Sequence, residues 1–183
     1  MNLIKFVDAH SPEWSEAALQ MTRDYFLWMN AEIEKACRFS ISDVVGMPLE
    51  DYITSASKYI CPKEHPNAKY YLLVEGQNPV AMGGLRALPS GHAEIVRIYT
   101  KPEFRGRGLA AMTLKRLIAD AREGQFEKVK LDTGVFMKSA HSVYASHGFT
   151  ICDPYEGAEP PERLQPFWLY MELDLLKAGP RSS

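Results

Sequence analysis

The sequence predicts an α+β domain. Two apolar runs joined by turn residues, YYLLVE and VAMGGLRAL, are followed closely by a third, as in an antiparallel meander. Helix-period segments then alternate with short strand-like runs as far as FWLYMEL. At 183 residues the chain is long enough for one domain to bury its own core.

Each element has a local reason. Residues 3–7 alternate weakly and read as a strand. Ser11-Pro12 offers a cap hydroxyl and a first-turn proline, so a helix is expected from there. Trp14, Ala18, Met21, Tyr25 and Trp28 recur on one face of it. Such a stripe means core packing, with a share of it available to wall a pocket. Residues 31–60 read as further helix, interrupted around Gly46-Met47-Pro48. Residues 70–75 and 80–88 form a hairpin across Gly76-Gln77-Asn78-Pro79, and Pro89-Ser90-Gly91 turns the chain into a third strand, 92–99. Residues 109–123 are a helix with Ala110, Leu114, Leu117 and Ala121 on one face. A strand at 128–132 and a helix at 138–146 follow, the helix closed by Gly148. Residues 149–152 are a strand, 153–166 a proline- and acid-rich loop, and 167–173 the last strand. One domain is expected over residues 1–176, with a helical segment at about 11–60 and a frayed tail, 177–183.

Composition excludes several functions. A net charge of −2 gives no general attraction to nucleic acid or to an anionic membrane. Cys37, Cys61 and Cys152 lack metal or redox-pair spacing and read as reduced thiols of a cytoplasmic protein. His141 and His147 are six apart and do not share a helix face, so no metal is expected. The apolar run at the N-terminus is broken by Lys5 and Asp8, and no stretch has the length of a membrane span. A hydrolase is not supported: Ser146 and His147 are adjacent, and G-x-S-x-G is absent.

The segment EIVRIYTKPEFRGRGLAA, residues 94–111, carries the chemistry. Its glycines suit positive φ or a close backbone approach, and a helix starts at once behind them. The first amides of a helix lack partners within it, and its dipole favours an anion there. A plain strand-to-helix turn with solvated arginines is the bland reading. Gly106-x-Gly108-x-x-Ala111 also fits a dinucleotide fingerprint. That fingerprint needs its glycines directly at a strand end, whereas Lys101-Pro102-Glu103-Phe104 intervenes here.

The longer word, Arg105-Gly106-Arg107-Gly108-Leu109-Ala110, fits Q/R-x-x-G-x-G/A after a strand and a proline. It resembles the pyrophosphate loop of the GNAT superfamily of N-acetyltransferases. Tyr144-x-x-x-Gly148-Phe149 resembles that family's second cofactor segment, and FWLYMELDL its closing strand. The resemblance covers residues 70–175 in order. It implies a central, mostly antiparallel mixed sheet, splayed at the cofactor site, with helices on both faces. It also implies acetyl-CoA as donor and no metal. The amides of Arg105 to Ala110 would hold the pyrophosphate, and the backbone of Ile98, Tyr99 and Thr100 the pantetheine. Tyr144 would give a proton to the departing thiolate, or merely pack on the cofactor near Met137 and Ala140. Met137 stands where the family often has asparagine. Glu94, eleven residues before Arg105, matches the catalytic glutamate of the superfamily's histone acetyltransferases. It is either the base or the partner of Arg86 or Arg97.

The acceptor side would comprise Tyr25, Trp28, Trp168 and residues 154–166, where Glu156, Glu159 and Glu162 either attract a cationic amine or are solvated. A small amine, an amino acid and a peptide all remain open as acceptors. So does a homodimer. The alternative from a different class is a non-catalytic acyl-CoA-binding module.

Overall fold

The computed structural model describes residues 3–57 and 67–176. Cys61, the end of the expected helical segment at 58–60 and the tail 177–183 lie outside the described residues. Among the described residues the strands are β1 (Ile4–Asp8), β2 (Lys69–Glu75), β3 (Asn78–Ala87), β4 (Ala93–Thr100), β5 (Lys128–Gly134), β6 (Thr150–Cys152) and β7 (Trp168–Asp174). The helices are α1 (Ser15–Cys37), α2 (Ile41–Val45), α3 (Leu49–Ser57), α4 (Leu109–Glu123) and α5 (Lys138–Ser146).

The strands form one sheet in the order β1-β2-β3-β4-β5-β7-β6. All neighbours are antiparallel except β4 and β5. Helices cover both faces. On one, Leu114, Leu117 and Ala121 of α4 pack against Leu85, Ile95, Val129 and Leu131. On the other, Ala18 and Met21 of α1 pack against Leu72, Val74, Met82 and Val96. The far half of α1 turns Phe26, Met29 and Ile33 into a separate cluster with Ile41, Ile53 and Leu164.

Two helix boundaries differ from expectation. Ser11 donates its hydroxyl to the Asp8 carbonyl at 2.8 Å. It therefore closes the turn after β1, and α1 begins only at Ser15, without a side-chain cap. The helical region also breaks at a second place. Arg38, at φ 64, ends α1. Ser40 and Asp43 then form a reciprocal capping box that starts α2, and Gly46 at φ 71 ends it.

Two irregularities make room for a site. The parallel strands β4 and β5 pair only at Ala93↔Val129 and Glu94↔Lys130, and diverge thereafter. Strand β4 also carries a bulge. Gly84 pairs with Val96 and Met82 with Tyr99, so Arg97 and Ile98 together oppose Gly83. Arg97 sits at φ 55, a left-handed conformation costing a non-glycine residue about 1–3 kcal/mol.

Candidate active site

The gap between β4 and β5 opens into a cleft of about 490 Å³. Its floor is the diverging end of β4, where Ile98, Tyr99 and Thr100 line it. Thr100 Oγ1 is buried there with no partner. One end is closed by the loop into α4, where Arg105, Gly106, Gly108, Leu109 and Ala110 all reach the cleft. Gly106 and Gly108 have φ of 76° and 75°, and nothing lies within 4 Å of a Cβ built on either. Conformation, not crowding, therefore requires glycine at both positions. Gly108 is the N-cap of α4 and gives it no side-chain cap. The first amides of a helix left uncapped at a cleft form an anion site.

The two arginines of the loop part company. Arg105 stacks on the Trp28 ring at 5.0 Å and donates Nε–H to the Thr100 carbonyl at 3.3 Å. Arg107 turns outward and binds Glu75 with both terminal nitrogens, at 2.7 and 3.3 Å. Its side chain is not on the cleft wall, which leaves only its backbone for an anion.

On the far side stand Met137, Ala140 and Tyr144 of α5 and its N-cap. Met137 accepts a weak hydrogen bond at Sδ from Thr133. The Tyr144 phenol is pushed up in pKa by burial and by the nearby Asp132 charge, and so stays protonated. Tyr25, Trp28 and Trp168 line the same cleft. The aromatic stripe of α1 is thus divided between core and cleft.

Glu94 is elsewhere. It is 0% exposed and absent from the cleft wall. Arg86 binds its Oε2, and Tyr155 donates a hydroxyl hydrogen bond to its Oε1 at 2.7 Å. Burial pushes its carboxyl up, against the opposing pull of Arg86 and Tyr155. The carboxylate is spent on a packed network beneath the acid-rich loop, where Arg86 also donates to the Gly157 carbonyl at 2.6 Å. Of the three loop glutamates, Glu156 and Glu162 are exposed, while Glu159 turns in and meets Arg97 at 3.3 Å.

Two further charged residues line the cleft: Asp132, which the sequence did not single out, and Arg97, expected only as a possible partner of Glu94. Asp132 lies at the diverging end of β5 and accepts from Trp168 Nε1–H at 2.8 Å. Burial pushes its carboxyl up to about 8, and the negative charges of Glu94 and Glu159 add to that. The visible signal was slight. In KVKLD, Lys128, Lys130 and Asp132 share one face, and Asp132 is the member that reaches the strand end.

An Acetyltransferase (GNAT) family model matches residues 29–149, which include the glycine loop, Asp132 and Tyr144. The chain belongs to the GNAT acetyltransferase family. Members of the family are acyltransferases, and the splayed sheet seen here is the fold expected of one. YedL of Escherichia coli (strain K12), an uncharacterized N-acetyltransferase, is 26% identical over 113 residues, 61% of this GNAT chain and 69% of that protein. YsnE of Bacillus subtilis (strain 168), also an uncharacterized N-acetyltransferase, is 28% identical over 92 residues, 49% of this chain and 61% of that protein. The PaiA N-acetyltransferase of Thermoplasma acidophilum, solved in complex with coenzyme A, superposes with a TM-score of 0.68 at 16% identity. That superposition covers 94% of this chain and 99% of the other. At such identity the likeness speaks for the GNAT fold alone. Among the described residues no three His, Cys, Asp or Glu side chains are grouped as a metal ion needs, and no helix is long and apolar enough to cross a membrane.

Proposed function

We propose that this chain transfers an acetyl group from acetyl-CoA to a primary amine by direct attack in a ternary complex. One observation carries the reading: a single cleft joins the uncapped N-terminus of α4 to a half-buried carboxyl and a buried phenol, Asp132 and Tyr144. The residues fit the donor. The amides from Arg105 to Ala110 suit a pyrophosphate. The unpaired stretch of β4 and the orphaned Thr100 Oγ1 suit a pantetheine arm lying where a strand would lie. When bound, acetyl-CoA supplies an acyl group on a good leaving thiolate.

The chain's own residues manage protons and position. Asp132, rather than Glu94, is the base. It faces the cleft, and a pKa of about 8 suits a group that takes a proton near neutral pH. It takes one proton from the acceptor ammonium, and the lone pair so freed forms the N–C bond; the second proton that nitrogen sheds replaces the one Tyr144 gives to sulfur. A backbone amide near Ile98 on β4 would serve the thioester carbonyl oxygen, where negative charge gathers. As the C–S bond breaks, Tyr144 Oη–H would donate to the thiolate sulfur. Trp28 and Trp168 wall the acceptor side and exclude water.

The test is release of free thiol from acetyl-CoA in the presence of a panel of amines. Release with at least one amine, and acetyl found on that amine, is the expected result. Tight CoA binding with no thiol released by any amine would instead identify a binding module.

A further inference from the structure

Arg97 has an environment that the donor side does not use. It stands at the bulge of β4, in a backbone conformation that glycine adopts far more readily. Strict alternation from Glu94 would have turned this side chain towards α4. The bulge returns it to the α1 face instead, where its guanidinium lies over the Phe26 ring at 4.8 Å. Its side chain is 4% exposed. One nitrogen, Nη2, meets Glu159 at 3.3 Å, a long contact for a charged pair. The other two, Nε and Nη1, are buried and have no partner. A buried cation with two idle nitrogens, Nε with one N–H and Nη1 with two, is costly unless something fills them. Nε and Nη1 lie on different edges, so a carboxylate meets the Nη1 edge, taking Nη2 as well where Glu159 yields it, and matches that edge in geometry and in charge.

The surroundings define the rest of the ligand. Arg97 and Asp132 lie on adjacent strands, three and two residues beyond the last paired positions, and both line the cleft. Beside them a smaller cavity of about 50 Å³ is lined mainly by apolar side chains, Phe26, Ile33, Ile41 and Leu164 among them, with Glu159 and Tyr52 also on its wall, and shares Tyr25, Met29, Asp132 and Trp168 with the cleft. An anion site, a proton acceptor and a mainly apolar annex thus adjoin.

We infer that the acceptor is a free α-amino acid with a small apolar side chain, its carboxylate held by Arg97, its amine facing Asp132 and its side chain in the annex. This deepens the acetyl-transfer reading and rests on it. A peptide N-terminus carries an uncharged amide where Arg97 requires a carboxylate, and a simple amine carries nothing there.

The experiment compares apolar L-amino acids with their α-carboxamides and with the matching decarboxylated amines. Binding is measured calorimetrically on the full chain saturated with CoA, and thiol release is measured separately with acetyl-CoA. The expected result is at least one amino acid that binds about 100-fold more tightly than its carboxamide and its amine. Arg97→Gly, whose φ suits glycine, should keep its CoA-induced thermal shift and bring that ratio near one. Glu159→Gln removes the competing anion and should tighten the amino acid but not the carboxamide. A wild-type ratio near one overturns the proposal, as does an unchanged ratio in folded Arg97→Gly. If Arg97→Gly does not fold, an unchanged ratio in Glu159→Gln overturns it. Selective amino-acid binding without thiol release would sink the transfer reading and leave the carboxylate site standing.

Discussion

Asp132 is the proposed base, and its environment makes that role testable. Its carboxyl is pushed up to about 8 by burial and by its acidic neighbours, so the neutral form dominates at pH 7. Transfer should therefore quicken as pH rises through about 8. Asp132→Asn should lose that limb from the pH–rate profile and lower kcat by about 10²–10⁴-fold. A mutant profile that keeps the limb would move the base role elsewhere. The same shift has a stability consequence. A carboxyl whose pKa is raised on folding stabilises the fold while protonated, and that contribution is lost as pH rises through its folded value. Asp132→Asn should thus gain melting temperature relative to wild type from about pH 4 to about pH 8 and level off above it. The choice between Glu94 and Asp132 was not legible in the sequence. Both are acids in strands, and what separates them is whether a neighbouring strand or open space lies alongside. Arg97, expected only as a possible partner of Glu94, meets Glu159 instead, since a bulge changes the face of a side chain and leaves no mark on the alternation of EIVRIYT.

At the scale of elements, local signals and long-range ones part cleanly. The loop RGRGLA and helix α4 were readable because positive φ and helical periodicity are properties of neighbouring residues. The start of α1 was misplaced because Ser11 spends its hydroxyl on the β1 turn, a choice between two nearby carbonyl and amide partners. The seating of α4 on the sheet depends on a glycine whose importance the sequence concealed. A Cβ on Gly83 would stand 2.6 Å from Thr113 Cγ2 and 3.3 Å from Leu117 Cδ1. Thr113 and Leu117 are wholly buried, so neither can swing aside. Gly83→Ala should push α4 off the sheet and destabilise the fold by about 1–3 kcal/mol in denaturant unfolding. An unchanged midpoint would show that the helix has room to shift.

The whole molecule decides between a CoA site and a dinucleotide site. In a dinucleotide fold the glycines follow directly on a strand within a parallel unit. Here a turn of 3-10 helix, Pro102–Phe104, separates β4 from the loop, and the other neighbour of β4 is the antiparallel strand β3. Acetyl-CoA at about 100 times its Kd should raise stability by about 2.7 kcal/mol, read as a higher melting temperature, and NAD(H) should raise it not at all. A shift with NAD(H) alone would reverse the assignment. The α+β class was legible from the hairpin turns and from the later alternation of helix and strand. The sheet order, which brings β7 between β5 and β6, was not, because it depends on which edges remain for a late strand to pair with.

The divergence of β4 from β5 also makes the sheet a lever. The two strands are fastened at Ala93↔Val129 and Glu94↔Lys130, and Thr100, the end of β4 open on its β5 side but still paired with Ala81 of β3, lies about 20 Å further along. A small change of spacing at the fastened end, such as a bulkier side chain at Val129, is multiplied at the free end. The width of the cleft should therefore respond to core residues at the fastened end, such as Val129, that do not line it.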